Sequence, residues 1–398
     1  MKKEEKILWK NRIDRYICQP VIGIPLFLLI IYSVFFLSFS GPGAYLTKIL
    51  DKLFMRSAYM ARTVLREIGV NEHFIRFLID GIFHGVSSVL SFLPQTMILF
   101  FLLTALEDSG YLFRAAFVID KALRRFGLSG NVLTPVLISF GCSVPAIIAT
   151  ENLSDTEKTN LAYSLPFIPC NARWSVLLFL IPSFFKTHTV AIAVTIYSIS
   201  VATAFLSAYL YHKRHKKLLP PSLFSLPPLR FPLPNKLLAM TRRNLFDYLV
   251  RTGTFVFLSC VTIHLLGILT PQLTITSKAN ESILAMCGNA LAPLFSPLGF
   301  GNGAMIAALI SGFFVKESIV CTLELLCHDG ISELLSSAGA LSFCIFSMLY
   351  TPCAATLETI KKQFGAKTAF SVFFRNLFFS ICISLVLYTF THRLLTYC

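Results

Sequence analysis

Three cysteines stand close to prolines inside apolar stretches of the sequence. Cys142 lies three residues before Pro145, and Pro169-Cys170 in the first half is echoed by Pro352-Cys353 in the second. Proline frees a backbone carbonyl from the helix ladder, and within lipid such irregular backbone is tolerated only where it is buried in protein or lines a cavity. Cysteine thiolates prefer soft or borderline transition metals, and a freed carbonyl adds a hard oxygen donor. The pattern predicts a metal path lined by these cysteines; the alternative is that each is a small apolar packing residue.

Ionisable residues inside or at the ends of apolar stretches form a second set. Such groups are costly at membrane depth and usually face a bundle interior or a water-filled path. Glu317 is expected to add negative charge to the metal path, although Lys316 and Glu317 could also form structural ion pairs or lie at an interface. Glu107 and Asp108 are expected near a membrane boundary. The predicted pathway and gating residues besides the metal ligands are Glu107, Asp108, Pro145, Pro169, Arg173, Lys316 and Pro352.

Enzymatic sequence signatures are missing. The sequence contains neither HExxH nor a GxxxxGK[ST] phosphate loop, which gives no support for a zinc protease or a built-in P-loop NTPase. The eight histidines are scattered, and none is assigned a metal role. No complete set of nucleophile and base is visible, so we predict no enzyme activity and no stably bound cofactor.

Composition indicates a membrane protein. Hydrophobic residues make up 55% of the 398 residues and charged residues only 14%, against about 25% charged in soluble domains. The net charge of +15 is concentrated in residues 1–16 and in residues 212–251, which hold nine Lys or Arg and one Asp. Both segments flank apolar runs, which is typical of cytoplasmic retention rather than nucleic-acid binding. We therefore predict a lipid bilayer, not a nucleic acid, as the surroundings of this chain.

The apolar runs predict an all-α, polytopic fold of about 8–10 helical segments in two halves, with broken or re-entrant helices. Residues 46–54 have the pattern of an amphipathic interfacial segment. With a cytoplasmic N-terminus, five crossings before His212 would put the basic linker outside, so either one segment is re-entrant or a further crossing lies near 81–90. The predicted spans are 21–39, 92–106, 132–150, 163–184, 190–211, 254–269, 304–326, 341–357 and 369–390.

Four sequence regions follow from these patterns. Residues 1–20 form a cytoplasmic N-terminal segment that is not a cleavable signal, and 21–211 form the first membrane half. Residues 212–251 form a basic, proline-rich cytoplasmic linker, and 252–398 form the second membrane half.

Several segments, taken in order, resemble the membrane region of the ferrous iron transport protein B family. The resemblance runs from about residue 11 to residue 390, and it implies that each half contains a gate region with cysteines implicated in iron passage, here Cys142, Cys170 and Cys353. One departure is Ile148-Ala149-Thr150-Glu151, where the family usually has Met-Ala-Thr-Arg. The matching segments are GVSSVLSFLP (85–94), LEDSGY (106–111), FGCSVPAIIAT (140–150), PFIPCNAR (166–173), GFFVKE (312–317) and YTPC (350–353).

The resemblance implies an Fe²⁺ permease in a bacterial inner membrane, with Fe²⁺ as its transported substrate. Family members usually carry an N-terminal GTP-binding domain, and this sequence begins about where that domain would end. The expected partners are a separate GTP-binding protein, a small cytoplasmic accessory protein and further copies of the chain. The alternatives are a permease for another divalent metal and a non-transporting membrane scaffold or assembly subunit.

Overall fold

A computed structural model describes residues 16–76, 78, 79, 83, 87, 90, 91, 93–215, 242, 254–272, 281–326 and 334–397. Regular structure in these residues is helical, without a β-strand. Five helical stretches of the described residues, three of which join two of the helices given below, are long and apolar enough to cross a membrane, or up to seven stretches if each sharply bent helix pair is one span. The predicted all-α, polytopic membrane fold is confirmed.

The described α-helices are numbered in chain order. They are α1 (Pro20–Phe35), α2 (Pro42–Glu67), α3 (Glu72–Arg76), α4 (Leu93–Asp108), α5 (Tyr111–Leu123), α6 (Leu133–Gly141), α7 (Ser143–Ile148), α8 (Asp155–Ser164), α9 (Asn171–Phe184), α10 (Thr189–His215), α11 (Thr254–Ile268), α12 (Ile283–Phe295), α13 (Gly303–Phe314), α14 (Ser318–Leu326), α15 (Ser337–Leu349), α16 (Ala354–Phe364) and α17 (Ala366–Tyr397).

The chain forms two compact units, each assembled from separate stretches of sequence. The first contains Met1–Phe54, Leu90–Leu165 and Phe205–Arg251, and the second contains Met55–Val89, Pro166–Ala204 and Thr252–Cys398. The sequence-based division at residues 20, 211 and 251 stays a prediction. Residues 1–15, most of the linker and most of segment 81–90 lie outside the described residues.

In the first unit, α4 and α5 meet at a sharp turn. The helix pair bends by 82°, and Gly110 between them has φ of 80°, a left-handed conformation that glycine adopts without a Cβ clash. The buried Arg114 donates from Nη1 to Gly110 O at 2.8 Å and holds the turn. This pair has the shape of a broken span or a re-entrant segment, and α5 was not among the predicted spans.

The second unit contains another sharp bend, between α12 and α13. The two helices, with the 3₁₀ turn after α12, bend by 103°. Ser282 and Asn302 cap their N-termini by accepting from Ala285 N and Ala304 N. The helices approach closely because Gly288 faces the backbone of Gly303. Helix α12 was not predicted from the sequence.

Helix α15 is the most enclosed of the apolar spans described. In the span that runs through α15 and α16, 83% of the most apolar window is buried, against 22% for α17. Ser342 and Ser384 bind each other's backbone carbonyls reciprocally, at 3.4 and 3.3 Å, and join α15 to α17. In lipid the hydrophobic effect does not drive helices together. Hydrogen bonds from a hydroxyl on one helix to a carbonyl on another therefore help to stabilise helix pairs.

Candidate functional site

The three predicted cysteines occupy the same local position in three broken helices. Cys142, Cys170 and Cys353 are the N-cap residues of α7, α9 and α16, and each has an extended backbone. None of the three side chains makes the usual N-cap hydrogen bond to its helix. Each thiol therefore stands at a helix start, where backbone N–H groups lack intrahelical partners.

Proline accounts for two of these breaks. Pro169 and Pro352 each directly precede an N-cap cysteine. Neither proline has an N–H to donate to the preceding helical turn, so the chain leaves the helix and restarts after the cysteine. Pro145 instead lies within the first turn of α7, where its missing N–H has no helical acceptor to lose. The sequence echo between the two halves thus corresponds to equivalent backbone geometry.

The predicted spans 132–150, 163–184, 304–326 and 341–357 are not continuous helices. Three of the interruptions coincide with the N-cap cysteines. The fourth falls at residues 315–317, between α13 and α14, where no proline is present. Broken helices were predicted as a class, and the sequence indicated the breaks at Pro169 and Pro352, whereas the break at residues 315–317 was not predicted.

Arg173 joins two of the breaks within the second unit. Only 2% of this residue is exposed. Its Nη1 donates to Pro166 O at 2.7 Å and its Nη2 donates to Tyr350 O at 3.0 Å, with a longer contact to Thr351 O at 3.5 Å. The planar guanidinium suits this role because its donors point in fixed, divergent directions.

The Lys316 side chain, in the break between α13 and α14, contacts the Thr351 carbonyl, which Arg173 also approaches. Its Nζ donates to Thr351 O at 2.8 Å and lies 3.4 Å from the centroid of the Tyr350 ring. Only 5% of the residue is exposed. The aromatic face and the carbonyl dipole both stabilise the ammonium group. In the part of the chain that the structure describes, neither Lys316 nor Arg173 forms an ion pair with a carboxylate.

The thiols of Cys170 and Cys353 belong to this group. Both interact electrostatically with Lys316. Cys353 Sγ also lies 3.1 Å from Thr356 Oγ1, one turn into α16. The structure thus brings together six residues that the sequence had singled out: Pro169, Cys170, Arg173, Lys316, Pro352 and Cys353.

Glu317 has different neighbours from Lys316. It interacts electrostatically with Cys260 on α11 and with Cys321 on α14. Neither cysteine was predicted as a site residue, although the spacing of Glu317 and Cys321 would place both on one face of a helix. Whether Glu317 belongs to the metal path stays a prediction.

The remaining predicted residues lie in the first unit. Cys142 and Pro145 are at the α6–α7 break. Glu107 and Asp108 end α4, at the 82° turn. Arg114, which holds that turn, was missed because its carbonyl partner carries no side-chain signal.

Among the described residues, no group of three or more His, Cys, Asp or Glu side chains is close enough to hold a metal ion. The oxygens gathered at the second-unit site are instead backbone carbonyls, those of Pro166, Tyr350 and Thr351. Carbonyl oxygens are hard donors that bind divalent cations. The Cys353 thiol and the carbonyls of Tyr350 and Thr351 therefore lie next to each other in the chain at the restart of α16.

A family model described as "Gate: Nucleoside recognition" matches residues 89–210 and 249–367. The chain belongs to this family. The matched residues include both Pro-Cys breaks, the α6–α7 break and Lys316. Two Gate segments in one chain fit the two gate regions that the sequence resemblance implied.

Curated relatives confirm the resemblance to ferrous iron transport protein B. The chain is 34% identical over 373 residues to a protein named Fe(2+) transporter FeoB from Staphylococcus aureus strain COL, covering 90% of this chain and 56% of that protein. It is 30% identical over 404 residues to a FeoB of Methanocaldococcus jannaschii, covering 97% and 60%.

A third relative joins two proteins in one chain. It is named a fusion of Fe(2+) transport protein A and Fe(2+) transporter FeoB, comes from Porphyromonas gingivalis strain W83, and is 27% identical over 413 residues. The match covers 89% of this chain and 48% of the fusion protein. The chain thus spans about half the length of the curated relatives it matches. No solved structure matches it.

Proposed function

We propose that this protein is a permease for ferrous iron, which it conducts across a membrane into the cytoplasm. The names of the relatives supply the substrate, and the membrane fold supplies the setting. The observation that carries the proposal is the second-unit site, where Cys170 and Cys353 restart two broken helices beside freed backbone carbonyls. Fe²⁺ is a borderline cation that accepts both thiolate and oxygen ligands.

Three cysteines are proposed as transient ligands on the path. Cys142 lies in the first unit, and Cys170 and Cys353 lie in the second. Because each cysteine is an N-cap, its Sγ is held at the end of a helix while the neighbouring backbone stays irregular. Such a site can bind an ion that has lost part of its water shell and release it again, as conduction requires. Glu317 is proposed to add negative charge near the path.

The test is Fe²⁺ flux into proteoliposomes made from the purified chain, measured under anaerobic conditions with a trapped metal-sensitive dye. Changing Cys142, Cys170 and Cys353 together to Ser is expected to reduce the flux about tenfold or more, because a hydroxyl is a poor replacement for a thiolate ligand. The control carries Cys287→Ser and Cys382→Ser, two exposed cysteines outside these breaks. It should retain the parental flux.

Two outcomes would contradict the proposal. Unchanged Fe²⁺ flux in the triple variant would show that the three cysteines are not ligands on the path. Absence of Fe²⁺ flux from the parent, alone and with a GTP-binding partner added, would favour the non-transporting scaffold. Competition by Mn²⁺ and Zn²⁺ in the same assay measures the metal preference of a chain that has Glu151 where the family usually has Arg.

Orientation and partners are part of the same proposal. The basic N-terminus and basic linker support a cytoplasmic location for both segments in a bacterial inner membrane. The fusion relative supports a small accessory protein as a partner. A separate GTP-binding protein is proposed as the source of nucleotide-driven energy.

A further inference from the structure

Two protein cations occupy the carbonyl oxygens at the restart of α16. Thr351 O accepts from Lys316 Nζ at 2.8 Å, and Tyr350 O accepts from Arg173 Nη2 at 3.0 Å. These oxygens belong to the break itself, directly before Pro352 and Cys353. Backbone carbonyl oxygens of this kind are hard donors that bind divalent cations.

The charges at this site are unusual for a cation path. Both cations are buried, and in the described residues neither is paired with a carboxylate. Buried charges are normally paired or bound to a metal, because desolvation without compensation is expensive. Here the compensation comes from carbonyl dipoles and from the face of the Tyr350 ring. Two tethered single charges thus stand where one divalent ion would supply the same total charge.

We infer that Lys316 is a tethered cation that competes with the transported metal for Thr351 O, so that a divalent ion enters the Cys170–Cys353 site only when the Lys316 ammonium moves away. Arg173 stays in place as the structural cation, since its guanidinium is also fixed to Pro166 O. The Lys316 side chain makes one hydrogen bond among the described residues, lies in the short break between α13 and α14, and is flexible. This inference rests on the proposed function.

The arrangement has a consequence for selectivity. A monovalent ion gains little by displacing an ammonium group of equal charge, whereas a divalent ion interacts about twice as strongly with the same dipoles. Lys316 therefore acts as a threshold that favours divalent over monovalent cations. It also lowers the resting affinity for metal, which makes release from the thiols faster.

The test is equilibrium binding of Co²⁺ alone to the purified full chain in detergent, followed by the thiolate-to-Co²⁺ charge-transfer absorption. Lys316→Gln removes the tethered charge and is expected to increase Co²⁺ affinity about tenfold or more, since a like charge within several ångströms is lost. Lys316→Arg keeps a cation and should bind Co²⁺ with nearly the parental affinity. Lys362→Gln is the matched control, because it removes an exposed lysine from α16.

A second uncharged variant, Lys316→Met, covers the case in which the Gln variant does not fold. Folding is monitored by size-exclusion chromatography, and Co²⁺-dependent thermal stabilisation provides an independent measure of affinity. Equal or weaker Co²⁺ binding by a folded uncharged variant would overturn the inference. So would an absorption increase that survives Cys170→Ser with Cys353→Ser, because the metal would then be bound elsewhere.

Failure of this inference can be told apart from failure of the proposed function. If the parent transports Fe²⁺ but the uncharged variants bind Co²⁺ no more tightly, the permease proposal stands and the tethered-cation role fails. If the parent carries no Fe²⁺ flux while the uncharged variants bind Co²⁺ more tightly at these thiols, the competition is supported and the transport proposal fails.

Discussion

At the scale of single residues, the second-unit site shows what a sequence can and cannot predict. Arg173 and Lys316 stood out because ionisable groups inside apolar stretches are rare and need a reason to be there. Their partners could not be predicted, because both donate to backbone carbonyls, which every residue carries. The sequence identified the charged residues at the site, but the structure was needed to identify what they bind.

Arg173 should be important for stability as well as for the site. Arg173→Met removes the donors to Pro166 O and Tyr350 O and is expected to lower the free energy of unfolding by about 2–4 kcal/mol, because buried carbonyls lose their partners. Arg173→Lys should fall in between, since one ammonium cannot reproduce the divergent donors of a guanidinium. Thermal unfolding of the purified protein in detergent measures both effects.

The control for this prediction is Arg66→Met. Arg66 is exposed and pairs with Glu72 at 2.6 Å on the protein surface. Exposed ion pairs contribute little to stability, so this variant should unfold close to the parental temperature. If Arg173→Met were as stable as Arg66→Met, the carbonyl contacts of Arg173 would not contribute to stability.

At the scale of helices, local chemistry predicted some breaks and missed others. Breaks at Pro169 and Pro352 follow from the missing N–H of proline, and the sequence indicated them. The break at residues 315–317 contains no proline or glycine. At this break the Lys316 side chain contacts Thr351 O, which is 35 residues further along the chain. Interactions this distant in sequence leave no mark on the local pattern of apolar residues.

Helix α5 was missed for a related reason. Its sequence includes Arg114, Asp120 and Lys121, so it does not read as an uninterrupted apolar run. In the structure Arg114 is buried against Gly110 O and Asp120 accepts from Gly130 N at 2.7 Å. Charges that are satisfied inside the protein look the same in the sequence as charges exposed to water.

The α12–α13 bend depends on a close helix approach that can be tested with one methyl group. A Cβ at Gly288 would lie 2.3 Å from Gly303 O, a backbone atom that cannot move independently. Gly288→Ala is expected to destabilise the protein by about 1–3 kcal/mol through overpacking. Thermal unfolding in detergent is again the measurement.

Gly267 in α11 offers a matched control. It also lies in a helix, and a Cβ there meets no atom within 4 Å. Gly267→Ala should be neutral or should stabilise the protein by about 0.5–1 kcal/mol, because alanine has the better helix propensity. Equal effects of the two substitutions would show that the close approach of α12 and α13 does not limit stability.

At the scale of the whole molecule, the charge distribution predicts the orientation in the membrane. Residues 1–20 and 212–251 are both expected to be cytoplasmic. Helix α10 is a single apolar span that directly precedes the linker, so residue 188 should be on the opposite side of the membrane. A reporter that folds only in the cytoplasm should be active at the N-terminus and after residue 222, and inactive after residue 188.

The reporter positions also test the parity of the crossings. Activity after residue 222 but not at the N-terminus would show an odd number of crossings between them and would contradict the predicted orientation. Activity at both 188 and 222 would show that α10 does not cross. Protease protection in sealed vesicles provides the same information without a fused reporter.

The contact between Arg173 and Tyr350 O joins residues 177 positions apart in the chain. Synthesis proceeds from the N-terminus, so α9 enters the membrane well before α15 has been made. During that interval the guanidinium has Pro166 O but lacks its acceptor on Tyr350, and a buried donor without its partner costs about 1–3 kcal/mol. Completion of α15 removes this cost. Arg173 therefore makes an unfinished chain chemically distinct from a finished one.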